Sequence, residues 1–159
     1  MTTPNSYRDW FKTTVANSDT DPYFDGGLDI KDFYYADSGR LIEATRSKIE
    51  YPCLVLEVPT YFFPTTFAGD YKARMRGAFS IVKGCKLDDY ESQDNAMNEC
   101  MRIGVRVLKK LRDSMKPQGA YFDGDAVIEA VLSLIVDNNY GYRFEFSIYG
   151  VYLYDISPC

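Results

Sequence analysis

The stretch that decides the predicted fold is DDYESQDNAMNECMRIGVRVLKKLRDSM, residues 88–115. Apolar side chains recur in it every three or four residues, which is the spacing of one face of an α-helix. The members of this stripe are Met97, Met101, Gly104, Leu108, Leu111 and Met115, widened by Cys100 and Val107. The pattern predicts one long amphipathic helix that buries its apolar side, above all Met97, Met101, Leu108 and Leu111, against a sheet.

Charges and capping residues mark both ends of this helix. Asp88 is a suitable N-cap, and Glu91 follows three residues later, at the spacing of a capping box. Acidic residues fill the first turns and basic residues the last, which suits the helix dipole. Pro117 and Gly119 do not continue a helix. The predicted helix therefore runs from Asp88 to Met115.

Two strands are predicted before this helix. Residues 53–58, CLVLEV, lie between prolines that cannot extend a ladder. The aromatic segment that follows is irregular and predicts a long loop. Residues 75–83 then alternate and predict a second strand. Its apolar side consists of Met75, Gly77, Phe79 and Ile81.

Two more strands are predicted after the helix. The run at 127–136 is compatible with a helix, but its Val and Ile content and the turn sequence DNNYG after it favour a strand. The predicted apolar face of that strand is Ile128, Ala130, Leu132, Leu134 and Val136. Residues 142–153 alternate clearly and predict a half-buried strand.

The element order predicts an α+β fold with a mostly antiparallel four-stranded sheet. Two hairpins flank the long helix, which packs on one face of the sheet. A short helix is predicted at 6–16, with Trp10, Phe11 and Val15 on one side. Residues 17–32 predict a loop, and a helix at 38–49 is weakened by its glycine. The length suits a single domain over 1–159, in which residues 1–50 are the less defined N-terminal extension.

Composition excludes several classes of function. The net charge of −5 disfavours a general nucleic-acid binder, which needs a basic surface. The first residues, MTTPNSYRDW, show no basic start followed by an apolar run, so we expect no secretory signal. No apolar run reaches the ~20 residues that cross a bilayer, so we expect no membrane contact.

The residue types disfavour most catalytic and metal chemistry. The chain has no histidine, which excludes Ser-His-Asp and Cys-His mechanisms and weakens any zinc site. It also lacks the glycine-rich nucleotide-binding motifs. Its acidic residues lie at a helix start or in turns, so a carboxylate enzyme stays open but disfavoured. We predict no catalytic residue, no cofactor and no metal. The cysteines are interpreted as free thiols, most of them buried: Cys53, Cys85, Cys100 and Cys159.

The motif YFDG occurs twice, at 23–26 and at 121–124. The similarity does not extend beyond it, so it is not a structural repeat. Each copy is interpreted as an aromatic anchor followed by an Asp-Gly turn. A weak cation site at Asp123 and Asp125 is the alternative, although a calcium loop needs more oxygen ligands.

Two groups of side chains are candidates for a protein interface. Four aromatic residues crowd the predicted loop, and they either fold back on the core or contact another subunit. The basic side of the long helix is either solvated or faces an acidic neighbour. The predicted interface residues are Tyr61, Phe62, Phe63, Phe67, Arg102, Arg106 and Lys109.

The order of these elements resembles a group of bacteriophage proteins. PCLVLEVP, GAFSIVKG, LDDYESQDNAMNECMRIGVRVLKKL and YGYRFEFSIYG together resemble the small tail-terminator, tail-completion and neck proteins of tailed phages, over about residues 50–155. The resemblance implies a non-catalytic virion protein, made in the bacterial cytoplasm, that forms a homo-oligomeric ring at the tail end or head–tail neck. Its implied partners are itself and other virion proteins.

Two other functions stay open at the level of sequence. The first is a small cytosolic protein-binding module of the immunity or adaptor type, and the second is an enzyme with a carboxylate site. A discrete ring mass separates the phage hypothesis from a monomeric binding module.

Overall fold

The computed structural model describes residues 4–16, 30–35, 49–63, 72–86, 88–132 and 139–152. Within these ranges the chain has two helices and a mixed sheet of seven strands, so the α+β class is confirmed. The elements are α1 Pro4–Trp10, which continues as a π-helical turn Phe11–Val15, β1 Asp32–Tyr35, β2 Cys53–Leu56, β3 Thr60–Phe62, β4 Lys72–Gly84, α2 Tyr90–Met115, which continues as a 3₁₀ turn Lys116–Gln118, β5 Tyr121–Phe122, β6 Val127–Leu132 and β7 Asn139–Tyr152.

The centre of the sheet is one long antiparallel ribbon. Strands β4 and β7 pair along their whole length, from Lys72 opposite Tyr152 to Gly84 opposite Asn139. The short strands β2 and β3 follow each other along the outer side of β4, and β5 and β6 do the same along β7. Strand β1 adds to β2 in the parallel direction.

The prediction of four mostly antiparallel strands was therefore wrong in detail. It missed β1, β3 and β5, which have only two to four residues each. Strands this short show too little alternation to be distinguished from a loop. The segment predicted as an irregular aromatic loop in fact contains β3 and the first residues of β4.

Alternation along the central ribbon creates two unlike sheet faces. On the face toward the helices, Phe79 and Phe144 stack with ring centroids 5.0 Å apart, and Phe146 packs beside them. All three side chains are buried. This face forms the main core together with α1 and α2.

The long helix begins one residue later than the capping pattern suggested. Asp89 is the N-cap, and its carboxylate accepts a hydrogen bond from the Ser92 backbone N–H at 3.2 Å. The predicted capping box from Asp88 to Glu91 is therefore wrong. An N-cap bonds the backbone two or three residues inside the helix, and Asp89 is the residue in position to do so.

The apolar stripe of α2 is rotated from the predicted one. The buried side consists of Ala96, Cys100, Ile103, Gly104, Val107, Leu111 and Met115. Met97, Met101 and Leu108, predicted to be buried, are only half-buried. The cause is Gly104, because a Cβ there would lie 2.0 Å from the Phe144 ring. The helix approaches the sheet most closely at this glycine, and the longer side chains lie on its flanks.

The N-terminal helix agrees with the prediction at 6–16. Phe11 and Val15 are buried, Trp10 is half-buried, and Phe11 lies 5.7 Å from Phe79 between ring centroids. The first YFDG copy and most of the possible helix at 38–49 lie outside the described residues.

The last hairpin is confirmed as a pair of strands, but the burial of β6 was predicted wrongly. Ile128 and Ala130 face the helix side of the sheet, opposite Phe144 and Tyr142, yet both are exposed. The reason is that α2 packs mainly on β4 and β7. Residues 133–136 of the predicted strand lie outside the described ranges.

Candidate interaction surface on the open sheet face

The sheet face that points away from both helices carries a row of large side chains. Tyr121 pairs with Tyr149, Tyr149 with Arg74, and Arg74 with Phe62, so the row crosses β5, β7, β4 and β3. Cross-strand partners share a face of the sheet. We call these four residues the aromatic row.

The aromatic row exposes much apolar surface. Tyr121 is 57% exposed, Phe62 is 45% exposed, and the adjoining Phe63 is 38% exposed. The rings of Tyr121 and Tyr149 lie 5.6 Å apart. A shallow depression of about 270 Å³ lies beside them, lined by Phe62, Phe63, Lys72, Arg74 and Tyr149. We call this depression the socket.

A β-bulge lies directly beyond the aromatic row. The register of β4 and β7 shifts between Ala73 and Arg74, and Gly150 adopts a left-handed φ of 95°. A Cβ at Gly150 would also approach the Gly119 carbonyl oxygen at 2.9 Å. Glycine therefore suits both the conformation and the close approach. The regular alternation of β7 places Tyr149 on the open face directly after the buried Ile148, and the bulge follows it.

Arginines separate the aromatic side chains. The Arg74 guanidinium donates to the Asp123 carboxylate at 2.6 Å. The Arg76 guanidinium lies 5.5 Å from the centre of the Phe62 ring, within cation–π distance, and 3.9 Å from Glu145. Aromatic and arginine side chains together are the composition that protein interfaces favour.

The middle of the open face is different, because ion pairs fill it. Arg143 donates to both oxygens of Glu57, at 2.7 and 2.9 Å, and to Glu145 at 2.8 Å. These hydrogen bonds, first of all those to Glu57, raise the pKa of Arg143. Its charge is thus already compensated within the chain. The apolar area available for a partner is concentrated at the aromatic end.

The opposite end of this face is a small apolar cluster. Cys53, Val55 and Val82 are buried there, with Tyr34, Ile49 and Tyr51 packed against them. Among the described residues the open face therefore has a covered end, a charged middle and an exposed aromatic end.

The predicted interface residues do not form one surface. Tyr61 pairs with Met75 and packs on the helix side against the main core, so its prediction as a loop residue was wrong. Phe62 and Phe63 are exposed beside the open face, and Phe67 lies outside the described residues.

The predicted basic residues lie on the other side of the sheet. Arg102 is exposed on α2, and Arg106 and Lys109 are half-buried there. Helix α2 packs on the face that Phe144 occupies, opposite to the face of Phe62. The aromatic and basic groups therefore cannot contact one partner surface through the same patch, and their interface roles stay predictions.

The sequence interpretation missed three members of the row. Arg74 lay at the end of the segment predicted as a loop, and Tyr149 shows only the alternation of β7, which was used to assign the core. Tyr121 belongs to the second YFDG copy and was interpreted as an anchor. In the structure, Phe122 is the half-buried anchor and Tyr121 is exposed.

The second YFDG copy forms the predicted turn. Gly124 has a left-handed φ of 88°, and the Asp123 backbone N–H donates to the Ser147 carbonyl. Asp123 bonds Arg74, as described above, and Asp125 is exposed. In the part of the chain that the structure describes, no three Cys, Asp or Glu side chains are grouped to hold a metal ion.

Two cysteines are buried thiols with little nucleophilic character at neutral pH. Burial raises the pKa of Cys53 and Cys100 to about 12, and the neighbouring carboxylates of Asp32 and Glu99 add to the shift. Cys85 is half-buried. All three are free thiols, and Cys159 lies outside the described residues.

Comparison with known proteins identifies no relative of this chain. No family model matches it, and neither a curated protein nor a solved structure is significantly similar. Across the described ranges, no helix is long and apolar enough to cross a membrane.

Proposed function

We propose that this chain is a non-catalytic assembly subunit that forms a homo-oligomeric ring in the virion of a tailed bacteriophage, at the tail end or the head–tail neck. The observation that carries the proposal is the aromatic row with its socket. Its rings project from a rigid sheet instead of packing in the core. Such a surface is typical of a protein that acts by contact with another protein.

Free energy favours covering this surface. Apolar area in water costs roughly 25 cal/mol per Å². Phe62, Phe63 and Tyr121 each leave a large fraction of the ring exposed. Association removes that area from water once in every subunit. Phe62 and Tyr121 lie on β3 and β5, which pair with the central ribbon and hold the two rings in place, so little conformational entropy is lost on binding.

The assignment to a phage ring is supported by the element order of the resemblance. A strand bounded by proline, a long strand, a long helix with an acidic start and a final hairpin occur in that order. On this proposal the partners are other copies of the chain and further virion proteins of the tail or neck. The protein is made in the host cytoplasm and ends in the virion.

The test is the mass of the native particle, measured for the wild-type chain and for Phe62→Ser with Phe63→Ser. We expect a discrete multiple of the 18.2 kDa chain for the wild type and a folded monomer for the double variant. The matched control is Val105→Ser on α2, where the side chain is 48% exposed on the opposite side of the sheet. The control is expected to keep the wild-type mass.

One outcome would overturn the proposal, and a second would remove the observation that carries it. A wild-type chain that stays monomeric at every concentration favours the small cytosolic binding module, whose partner would be a different protein. A double variant that unfolds in a thermal melt shows that the two rings belong to the core. In that case the contact surface lies elsewhere.

A further inference from the structure

We propose that the acidic turn at the start of α2 in one copy docks into the socket of the next copy. The acidic turn is defined here as Asp88, Asp89, Tyr90 and Glu91. The inference rests on the proposed homo-oligomer and names the two surfaces that meet in it.

The acidic turn is a projecting aromatic residue surrounded by carboxylates. Tyr90 is 82% exposed, the highest value among the exposed large apolar side chains of the described residues. Asp88, Asp89 and Glu91 are exposed around it. The Asp89 cap fixes the backbone here through its hydrogen bond to Ser92. The ring of Tyr90 is thus presented by an ordered helix start.

The socket has the complementary chemistry. Its walls are Phe62, Phe63 and Tyr149, which suit an aromatic ring, and its two charged lining residues are Lys72 and Arg74. Asp123 already bonds one side of Arg74. A guanidinium has five N–H donors, so Arg74 can bond a second carboxylate while it keeps Asp123. Lys72 supplies a further positive charge at the edge.

The two surfaces lie at opposite ends of the molecule. Arg74 is near the start of β4, whereas α2 begins shortly after Gly84 at its end. Lys83 bonds Glu99 and the Cys100 thiol lies 3.7 Å from the Tyr140 carbonyl, which ties the first half of α2 to that end. Ten residues of strand span roughly 30 Å. The acidic turn of a chain therefore cannot reach the socket of the same chain.

This separation determines the kind of assembly. A contact between two different surfaces is heterologous, and repeated heterologous contacts close into a ring or extend as a filament. A second copy is thus the occupant that both the charges and the distance favour. The acidic turn also lies on the side of the helices, so each subunit offers its two surfaces in different directions.

The test uses two variants that each destroy one half of the contact. The turn variant is Tyr90→Ser with Glu91→Gln, and the socket variant is Phe62→Ser with Arg74→Gln. Each is expected to be a folded monomer by native mass measurement and circular dichroism. A mixture of the two retains one intact socket and one intact turn, so it should form a heterodimer and stop there. The control Val105→Ser should keep the wild-type mass.

Salt provides a second measurement on the same mixture. The dissociation constant of the heterodimer should rise about tenfold or more between low and high ionic strength, because exposed charges are screened. A contact without charge complementarity would show no such rise, and that result would contradict the proposed occupant.

The failure of this inference can be distinguished from the failure of the proposed function. If the wild type assembles and the turn variant still forms the same particle, the socket binds something else and this inference is overturned, while the proposed ring stands. A mixture that yields no heterodimer overturns it as well. If the wild type is a monomer, the proposed function fails and the inference fails with it.

Discussion

The two faces of the central ribbon are made by the same strands but have opposite roles. Phe144 lies in the core against Phe79 and Gly104, whereas its neighbour Arg143 lies on the open face in ion pairs with Glu57 and Glu145. The helix-side face holds the fold together. The open face has a compensated charged middle and an aromatic end that the described part of the chain leaves uncovered.

The difference between the two faces shows which side chains stabilise the fold and which are available for contact with a partner. Buried rings on the helix side lose their surface on folding, so their removal leaves a cavity. Exposed rings on the open side keep a large fraction of their surface in water in the monomer, so their removal should leave the monomer folded. Substitutions on the two faces should therefore change different measurements.

The largest effect is expected at the centre of the helix-side face. Phe144→Ala removes the ring that stacks on Phe79 and fills the space under Gly104. It should cost about 3–5 kcal/mol of unfolding free energy, the range for a large aromatic residue in a core. Denaturant titration measures this loss. A cost below about 1 kcal/mol would show that the helix does not pack there.

A smaller difference in unfolding free energy is expected between two leucines of α2. Leu111 is fully buried and Leu108 is half-buried, although the sequence pattern predicted both in the core. Leu111→Ala should cost about 2–5 kcal/mol. Leu108→Ala should cost clearly less, because part of its surface is already in water. If Leu108→Ala and Leu111→Ala cost the same unfolding free energy in this titration, the helix has the orientation that the sequence pattern predicted.

Alkaline pH should destabilise the fold through the buried thiols. Cys53 and Cys100 have a pKa of about 12 when folded, above the ordinary value of 9.0. A raised folded pKa gives stability that is complete below pH 9 and is lost as pH rises toward 12. The loss is at most about 1.4 kcal/mol per pH unit for each thiol.

The measurement for this prediction is a set of denaturant titrations between pH 8 and pH 10.5. Cys100→Ala lowers the stability at every pH but should make the decline shallower. If the variant and the wild type decline in parallel, Cys100 does not stay protonated in the folded state. Native alkylation at pH 8 should label Cys85 before either buried thiol, because it alone of the three is half-buried.

The smallest effect is expected on the open face itself. Arg143→Met keeps an unbranched apolar stem but removes the guanidinium and its bonds to Glu57 and Glu145. Because these groups are partly exposed, the expected cost is about 1 kcal/mol. It should shrink further in high salt. If Arg143→Met costs as much as Phe144→Ala, the charged middle of the open face belongs to the core. The two faces would then not differ in the way described.

Much of the fold could be predicted because the spacing of apolar residues, every second residue in a strand and every three or four in a helix, indicates which side is buried. Residues 142–148 alternate over several cycles, and that identified β7 and its buried face. The rotation of α2 could not be predicted, because it depends on the contact between Gly104 and Phe144, which are far apart in sequence. Strand β3 was missed because its pairing with β4 is a tertiary contact of three residues.

The candidate surface was predicted in part. Phe62 and Phe63 were identified from the density of aromatic residues, and both are exposed. Tyr121, Tyr149 and Arg74 were not identified, since the register of four strands brings them together. Arg102, Arg106 and Lys109 were grouped with the aromatic residues by sequence reasoning, but the sheet separates them.

The most direct test of the central claim is hydroxyl-radical footprinting of the wild-type chain at low and high concentration. The claim is that the aromatic end of the open face is the contact surface between subunits. Phe62, Tyr121 and Tyr149 should lose reactivity as the particle assembles, while Val105 on the outer side of α2 should not change. If the particle assembles and these three rings stay as reactive as in the monomer, the open face is not the contact surface.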